Sequence, residues 1–210
     1  YAEIYNLLKD KADYPIVRPG FAIPFAYYSE HIKESGIDLL IRKTIEEVRA
    51  KNDPVETEKL LAALREKFLR TPVDSQLVAD VEAKLETRYP TESMRFRSST
   101  NSEDLADFSG AGLYTSTSYN PDKKSSSIEN AVRTVWASVW NRRAFDEREF
   151  YGIDHETVFA AIQLNPGFPE EEGNGVAISR NITDVTSPSG LTTGIYFNNQ
   201  KGEYSVTNPT

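Results

Sequence analysis

Residues 95–112 concentrate the chemistry of this chain: two arginines, five hydroxyl side chains, the adjacent acids Glu103 and Asp104, and two glycines lie within eighteen positions. A guanidinium presents a planar fork of donors that matches phosphate oxygens, and glycines let backbone N–H groups approach closely enough to join it. The segment Arg95-Phe96-Arg97-Ser98-Ser99 through Ser109-Gly110-Ala111-Gly112 matches neither the P-loop nor the Rossmann glycine spacing. Residue chemistry therefore leaves two alternatives, a polyphosphate cradle or a solvated turn with surface ion pairs.

A second feature is Gln163, the polar interruption of the apolar run Val158–Leu164. A primary amide offers both a donor and an acceptor, as the edge of an adenine requires, and it equally suits a glutamine bonded to backbone. Both histidines, His31 and His155, stand outside any nucleophile or ligand pattern, and no Gly-x-Ser-x-Gly elbow is present.

The elements that must position these groups follow from periodicity. Met94 and Phe96 alternate with Arg95 and Arg97, which predicts a strand carrying both arginines on the face opposite the apolar pair. Gly110–Gly112 followed by the hydroxyl-rich Leu113–Tyr119 predicts a loop-and-strand flap. Val158–Leu164 reads as a central strand. Upstream, Pro15, Pro19 and Pro24 exclude a helix, and Phe21, Ile23 and Phe25 alternate as a half-buried strand would.

Three amphipathic helices are predicted between these strands. Ile37, Leu40, Ile41, Ile45 and Val48 form one stripe, Leu61, Leu64 and Phe68 a second after Asp53-Pro54, and Leu77, Val78, Val81 and Leu85 a third ending near Tyr89. A further helix is expected from Ser126, with Glu129 at capping-box spacing and Ile128, Val132, Val135, Trp136 and Val139 facing inward. Gly152 is expected to end the short helix after it.

The order of these blocks resembles the nucleotide-binding domain of the phosphoenolpyruvate synthase and pyruvate phosphate dikinase family, an ATP-grasp-like module. The resemblance rests on Arg97-Ser98-Ser99, Glu103-Asp104-Leu105 and Ser109-Gly110-Ala111-Gly112. It continues through Trp136-Ala137-Ser138, Arg143-Ala144, His155, Ile162-Gln163 and Gly175-Val176-Ala177-Ile178-Ser179-Arg180-Asn181, with Arg18-Pro19-Gly20-Phe21-Ala22-Ile23-Pro24 upstream. It implies an α/β (α+β) fold with a mixed or antiparallel sheet and a helical subdomain. The expected organisation is an entry segment over 1–29, a helical subdomain over 30–92 and an ATP-grasp-like α/β subdomain over 93–210.

The resemblance also implies roles. Arg97 would hold ATP phosphates and act catalytically by stabilising the transferring phosphoryl group. Gly112 would contribute a backbone contact, Ser116 a hydroxyl near the same phosphates, with Thr115 or Thr117 as register alternatives, and Gln163 a nucleotide contact. Glu103 and Asp104 are expected to brace the arginine loop, and Arg143 to form a structural ion pair. His155 is expected to be structural or capping, since the family's phosphorylated histidine belongs to a separate mobile domain.

In the parent protein ATP would phosphorylate that carrier histidine for delivery to pyruvate or another small acceptor. Magnesium is implied as a cofactor, with ligands expected outside this chain, and no metal set is expected within it. Lys9 and Lys11 lack the glycines of the family's upstream lysine segment, and Gly202-Glu203 is only a faint match to its downstream block. Tyr1 begins the sequence and Met94 is its only methionine, so a segment of a longer protein is expected, inactive alone. Asn174 stands where the family has a small residue and Ile182 where it often has proline. The alternative is therefore a non-catalytic nucleotide-binding or regulatory relative.

Composition sets the outer limits. A formal charge of −8 argues against a nucleic-acid partner, which needs a basic face. No apolar run has bilayer-spanning length, so no membrane association is expected and a cytoplasmic setting is the default. The absence of cysteine excludes disulfides, thiolate metal sites and cysteine nucleophiles.

Overall fold

Pro24 begins a helix instead of extending a strand. In the computed structural model, strand β1 (Phe21–Ile23) stops at Pro24, which serves as the N-cap of α2 (Phe25–Glu34). This corrects the strand expected through Phe25. Proline lacks only an N–H that the first helical turn leaves unpaired in any case, so it is tolerated at a helix start.

The structure describes residues 2–11, 17–105, 108–110, 112–168, 171–178 and 194–202. Pro15, Ala111, Ser179-Arg180-Asn181, Ile182 and Glu203 lie outside them, as do the side chains of Asp104 and Ser109. Two compact units divide the chain, residues 1–167 and 168–210.

The first unit opens with α1 (Ala2–Leu8) and, after β1 and α2, continues through α3 (Ile37–Lys51), α4 (Pro54–Arg70) and α5 (Ser75–Arg88). These last three match the predicted stripes. Asp53 fixes the start of α4, accepting N–H bonds from Val55 and Glu56 at 2.8 Å each.

Strand β2 (Met94–Thr100), the short β3 (Asp104–Leu105) and β4 (Phe108–Ser109), and β5 (Thr117–Tyr119) follow. Then come α6 (Ile128–Ser138), α7 (Arg142–Phe150) and β6 (Ala160–Pro166). Gly152 stands just beyond α7 with φ 66°, as expected of a helix terminator.

The capping box at Ser126 does not form. Ser127 caps α6 by accepting the Asn130 N–H, while Ser126 Oγ accepts the Asn120 N–H at 2.9 Å. Glu129 turns away to accept the Val73 N–H at 3.0 Å and to pair with Arg133. An ion pair within the helix and a distant backbone donor outweigh the local capping bond here.

Four strands form one antiparallel sheet in the order β1-β6-β2-β5. Ile23, Met94, Phe96, Ile162 and Leu164 are buried on one face, against which α2 and α6 pack. Trp136, Val132 and Val135 from α6 and Leu61, Leu64 and Phe68 from α4 complete the core. Each such side chain contributes about 1.5–3 kcal/mol by leaving water. The helices and the sheet share this one core, so the helical residues hold the strands in place.

The second unit contains β7 (Gly173–Ile178) paired antiparallel with β8 (Tyr196–Lys201), in register from Gly173 opposite Lys201 to Ile178 opposite Tyr196. A side chain at Gly175 would come within 2.7 Å of the Asn198 carbonyl oxygen, so only glycine fits there. Asn174 spans the hairpin's end by donating to the Gly202 carbonyl.

Candidate functional site

Because successive strand residues point to opposite faces, burial of Met94 and Phe96 turns Arg95, Arg97 and Ser99 onto the face the helices leave open. The β2–β6 register sets Arg97 opposite Gln163 and Arg95 opposite Asn165. Residues directly opposed in an antiparallel pair have Cβ atoms about 4.5–5.5 Å apart. The sheet thus carries two polar rows, Ala22–Gln163–Arg97 across β1, β6 and β2, and Asn165–Arg95–Ser118 across β6, β2 and β5.

The two arginines differ in their commitments. Arg95 Nη1 donates to Ser118 Oγ at 3.0 Å. Arg97 is exposed and its guanidinium has no hydrogen bond or ion pair among the described residues. A guanidinium with five unused donors over a polar sheet face is suited to a multivalent anion.

Gln163, in the first of these rows, is half-buried, and its Nε2 makes a long 3.4 Å contact to the Leu164 carbonyl. Its carboxamide lies against Gly20, where a Cβ would sit 3.1 Å from Nε2 and 2.3 Å from the Leu164 oxygen. Glycine at 20 is therefore required for β1 to approach β6 and for the amide to lie beside it. Tyr89 Oη donates to the Pro19 carbonyl at 3.1 Å, and Arg18 pairs with Glu92 and donates to the Gly167 carbonyl, fastening the segment before β1.

The expected turn forms at Gly110–Gly112, but the strand after it is shorter than Leu113–Tyr119. Gly110 N–H donates to Glu103 O at 2.6 Å, Leu113 N–H to Gly110 O at 3.1 Å, and Gly112 has φ 78°, a left-handed conformation glycine adopts without strain. Leu113 is buried and pins the turn. Only Thr117–Tyr119 pair as a strand, because the turn leaves Leu113–Ser116 without a neighbour in the sheet.

Of the three hydroxyl alternatives, Thr115 Oγ1 accepts from Asn141 Nδ2 at 3.3 Å and Thr117 shares the core-side face of Phe96. Ser116 lies just before the paired strand and is half-buried. Thr115 and Thr117 are thereby drawn away, which leaves Ser116 as the remaining alternative of the three.

Glu103 bonds within the arginine loop, its Oε2 accepting the Thr100 N–H at 3.2 Å. Asn101 extends the loop's attachment to β6 in a way composition gave no sign of. Its Nδ2 donates to Thr157 O and its Oδ1 accepts the Phe159 N–H, both at 2.8 Å. Arg143 departs from expectation: it is exposed and makes no ion pair among the described residues. The neighbouring Arg142 pairs with Asp146 one turn along the helix.

His155 is buried beneath this region and not presented to it. It stacks on Phe145 with ring centroids 4.0 Å apart, Arg148 Nε donates to its Nδ1 at 3.0 Å, and its Nε2–H donates to Glu149 Oε1 at 2.8 Å. Burial, reinforced by the Arg148 charge and opposed by Glu149, pushes the imidazole down to about 4, so it is neutral near pH 7. Arg148, itself fully buried, also donates to Val139 O at 2.7 Å and lies over the Trp140 ring. His31 is likewise buried in the helical part, against Trp136 and Phe68.

Among the described residues no group of three or more metal-ligating side chains converges, and no helix is long and apolar enough to cross a membrane. The residues the site brings together are Arg97, Gln163, Gly20, Arg95, Ser118 and Asn165. Arg95 falls on the face expected of it, whereas Asn165 escaped the sequence argument although strand alternation with Gln163 signals it.

Comparison with known proteins gives this geometry a setting. The pyruvate phosphate dikinase, AMP/ATP-binding domain model matches residues 5–204. Phosphoenolpyruvate synthase of Aeropyrum pernix is 36% identical over 157 residues, covering 72% of this chain and 19% of that protein. Phosphoenolpyruvate synthase of Escherichia coli is 25% identical over 175 residues, covering 82% and 21% respectively. A probable phosphoenolpyruvate synthase of Methanothermobacter thermautotrophicus is 25% identical over 155 residues, covering 70% and 22%. The chain therefore spans about a fifth of the length of these relatives.

Proposed function

The chain belongs to the pyruvate phosphate dikinase AMP/ATP-binding domain family, and from that membership we propose that it is the ATP-binding segment of a dikinase-type phosphotransferase. The observation that carries the proposal is the Arg97–Gln163 pair, a guanidinium without a partner among the described residues and a loosely held carboxamide side by side on the open face of the sheet.

In this reading the family's ATP-grasp-like arrangement lays the nucleotide across that face. The Gln163 amide reads the purine edge with one donor and one acceptor. The longer arm of Arg97 reaches the phosphates, and Gly112 and Ser116 close over them from the flap. Phosphoryl transfer asks for positioning and charge neutralisation, and Arg97 supplies both as the charge on the equatorial oxygens shifts. In the parent protein the phosphoryl group would pass to a histidine on a separate carrier domain, and from there to pyruvate or another small acceptor, in a cytoplasmic setting.

Magnesium is implied for such chemistry, and the described residues do not fit it. Glu103 is engaged with the Thr100 backbone, and among the described residues no group of three or more metal-ligating side chains converges. No step is assigned to a metal held by this chain.

The second reading is a non-catalytic relative that keeps nucleotide binding. Asn174 favours it, as its side chain serves the β7–β8 hairpin by bonding to the Gly202 carbonyl. Calorimetry with ATP and magnesium on the wild type and Arg97→Ala tests the site both readings share. Loss of roughly tenfold or more in affinity is expected, as for a charge-assisted phosphate contact. Equal heats from the two proteins would remove Arg97 from the site.

A further inference from the structure

The glycine turn and the arginine loop meet at one side chain, Tyr114. Its hydroxyl lies 3.4 Å from Ser102 Oγ, and Ser102 is 3% exposed in the loop that follows β2. A Cβ added at Gly110 would sit 3.2 Å from the Tyr114 ring. The half-buried ring also packs against the buried pair Leu113 and Ala144, the latter in α7.

Arg148 supplies the other contact. Two nitrogens of its buried guanidinium are committed, Nε to His155 Nδ1 at 3.0 Å and Nη2 to the Val139 carbonyl at 2.7 Å. The third, Nη1, is buried with no acceptor at full hydrogen-bonding distance among the described residues. Burial lowers the basicity of Arg148, and the electrostatic attraction and hydrogen bonding of Tyr114 oppose that loss, followed by Tyr28.

A buried cationic donor short of an acceptor is costly, and hydrogen bonds that involve a charged group are the strong ones. The guanidinium therefore holds the Tyr114 oxygen as an acceptor, which leaves the Tyr114 O–H to donate to Ser102 Oγ. Neutral His155 keeps Arg148 in place, because only an unprotonated Nδ1 accepts from Nε.

We propose that Tyr114 is a positioning residue for the phosphates: clamped between Arg148 and Ser102, it holds residues 112–116 in the place from which they cover the ligand. Arg148 acts on the ligand only through this hydroxyl. The inference rests on the nucleotide reading of the open sheet face.

Tyr114→Phe keeps the ring and removes the hydroxyl, so the clamp can be read with and without ligand. Without ligand, amide exchange over residues 113–116 should quicken by roughly tenfold, as for one lost bond to a charged group, while β6 is unaffected. With ligand, calorimetry should show ATP bound about threefold to tenfold more weakly and adenosine equally well, because the turn must then be ordered only by the ligand it covers. Ser102→Ala, which removes the other end of the clamp, should give the same ligand split at roughly twofold to threefold. Arg97→Ala measured alongside separates two failures. If it weakens ATP and Tyr114→Phe does not, the positioning role is overturned and the nucleotide reading stands; if neither variant alters ATP binding, the nucleotide reading falls and the positioning role with it. Unchanged exchange over residues 113–116 would overturn the clamp itself. So would a lowered urea midpoint with ATP and adenosine weakened alike, the mark of a residue that serves only the core.

Discussion

Arg97 of β2 and Gln163 of β6 stand directly opposite each other on the sheet face that the helices leave open. Their proximity predicts a division of labour that ligand choice can resolve. Arg97→Ala should weaken ATP by tenfold to a hundredfold, an effect of about 1.4–3 kcal/mol, and adenosine little. Gln163→Ala should weaken ATP, AMP and adenosine alike, by about 1–2 kcal/mol. Calorimetric titration of the three ligands checks this, and an Arg97→Ala penalty equal for adenosine and ATP would contradict the phosphate assignment.

Gly20 explains how β1 comes so close to the amide. An added Cβ would sit 2.3 Å from the Leu164 carbonyl oxygen, a backbone atom that cannot swing away. Gly20→Ala should therefore cost roughly 1–3 kcal/mol by the rules of overpacking. Urea unfolding measures it, and the displaced Gln163 should lower adenosine affinity in protein that remains folded.

The buried His155 sets a pH dependence with a definite sign. Its folded-state value of about 4 lies below the ordinary 6.5, so the unfolded chain takes up the proton first. Stability should be fully present above about pH 6.5 and fall as pH drops towards 4, by at most roughly 3 kcal/mol from this residue. His31, also held low by burial, adds in the same direction. Urea midpoints at pH 7 and pH 5 check the trend. His155→Gln, which removes the titrating ring, should flatten it while lowering stability at both.

Most elements were legible because their signal is local. The stripes at Ile37–Val48, Leu61–Phe68 and Leu77–Leu85 repeat with helical period, and Met94–Phe96 alternates with the arginines. The misreadings occur where a distant partner decides. Glu129 turns to the Val73 N–H, 56 positions away, instead of closing a capping box. The Asn101 link to Thr157 and Phe159 spans 56 and 58 positions, so nothing near it in the chain announces it. Pro24 was ambiguous for another reason, since proline ends strands and starts helices with equal ease.

Asp53 offers a local control on stability far from the sheet face. Its Oδ1 accepts two N–H bonds at the start of α4, so Asp53→Ala should destabilise by about 0.5–2 kcal/mol. The urea midpoint should fall while ATP affinity stays constant, because α4 acts on the site only by holding the core. A change in affinity without loss of stability would mean that the helical residues touch the ligand.

Asn141 tests whether the glycine turn must be held in place. Its Nδ2 donates to the Leu113 carbonyl and to Thr115 Oγ1, each at 3.3 Å, tying the flap to the start of α7. Bonds this long contribute modestly to stability, so Asn141→Ala should cost below about 1.5 kcal/mol. The consequence for binding is larger in proportion: an untied Gly112–Ser116 segment must be ordered when the phosphates arrive, and that entropy is subtracted from affinity. ATP should bind about threefold to tenfold more weakly and adenosine unchanged, with faster amide exchange confined to the flap. Equal weakening of adenosine would mean that Asn141 acts through the whole sheet and not through the turn it holds.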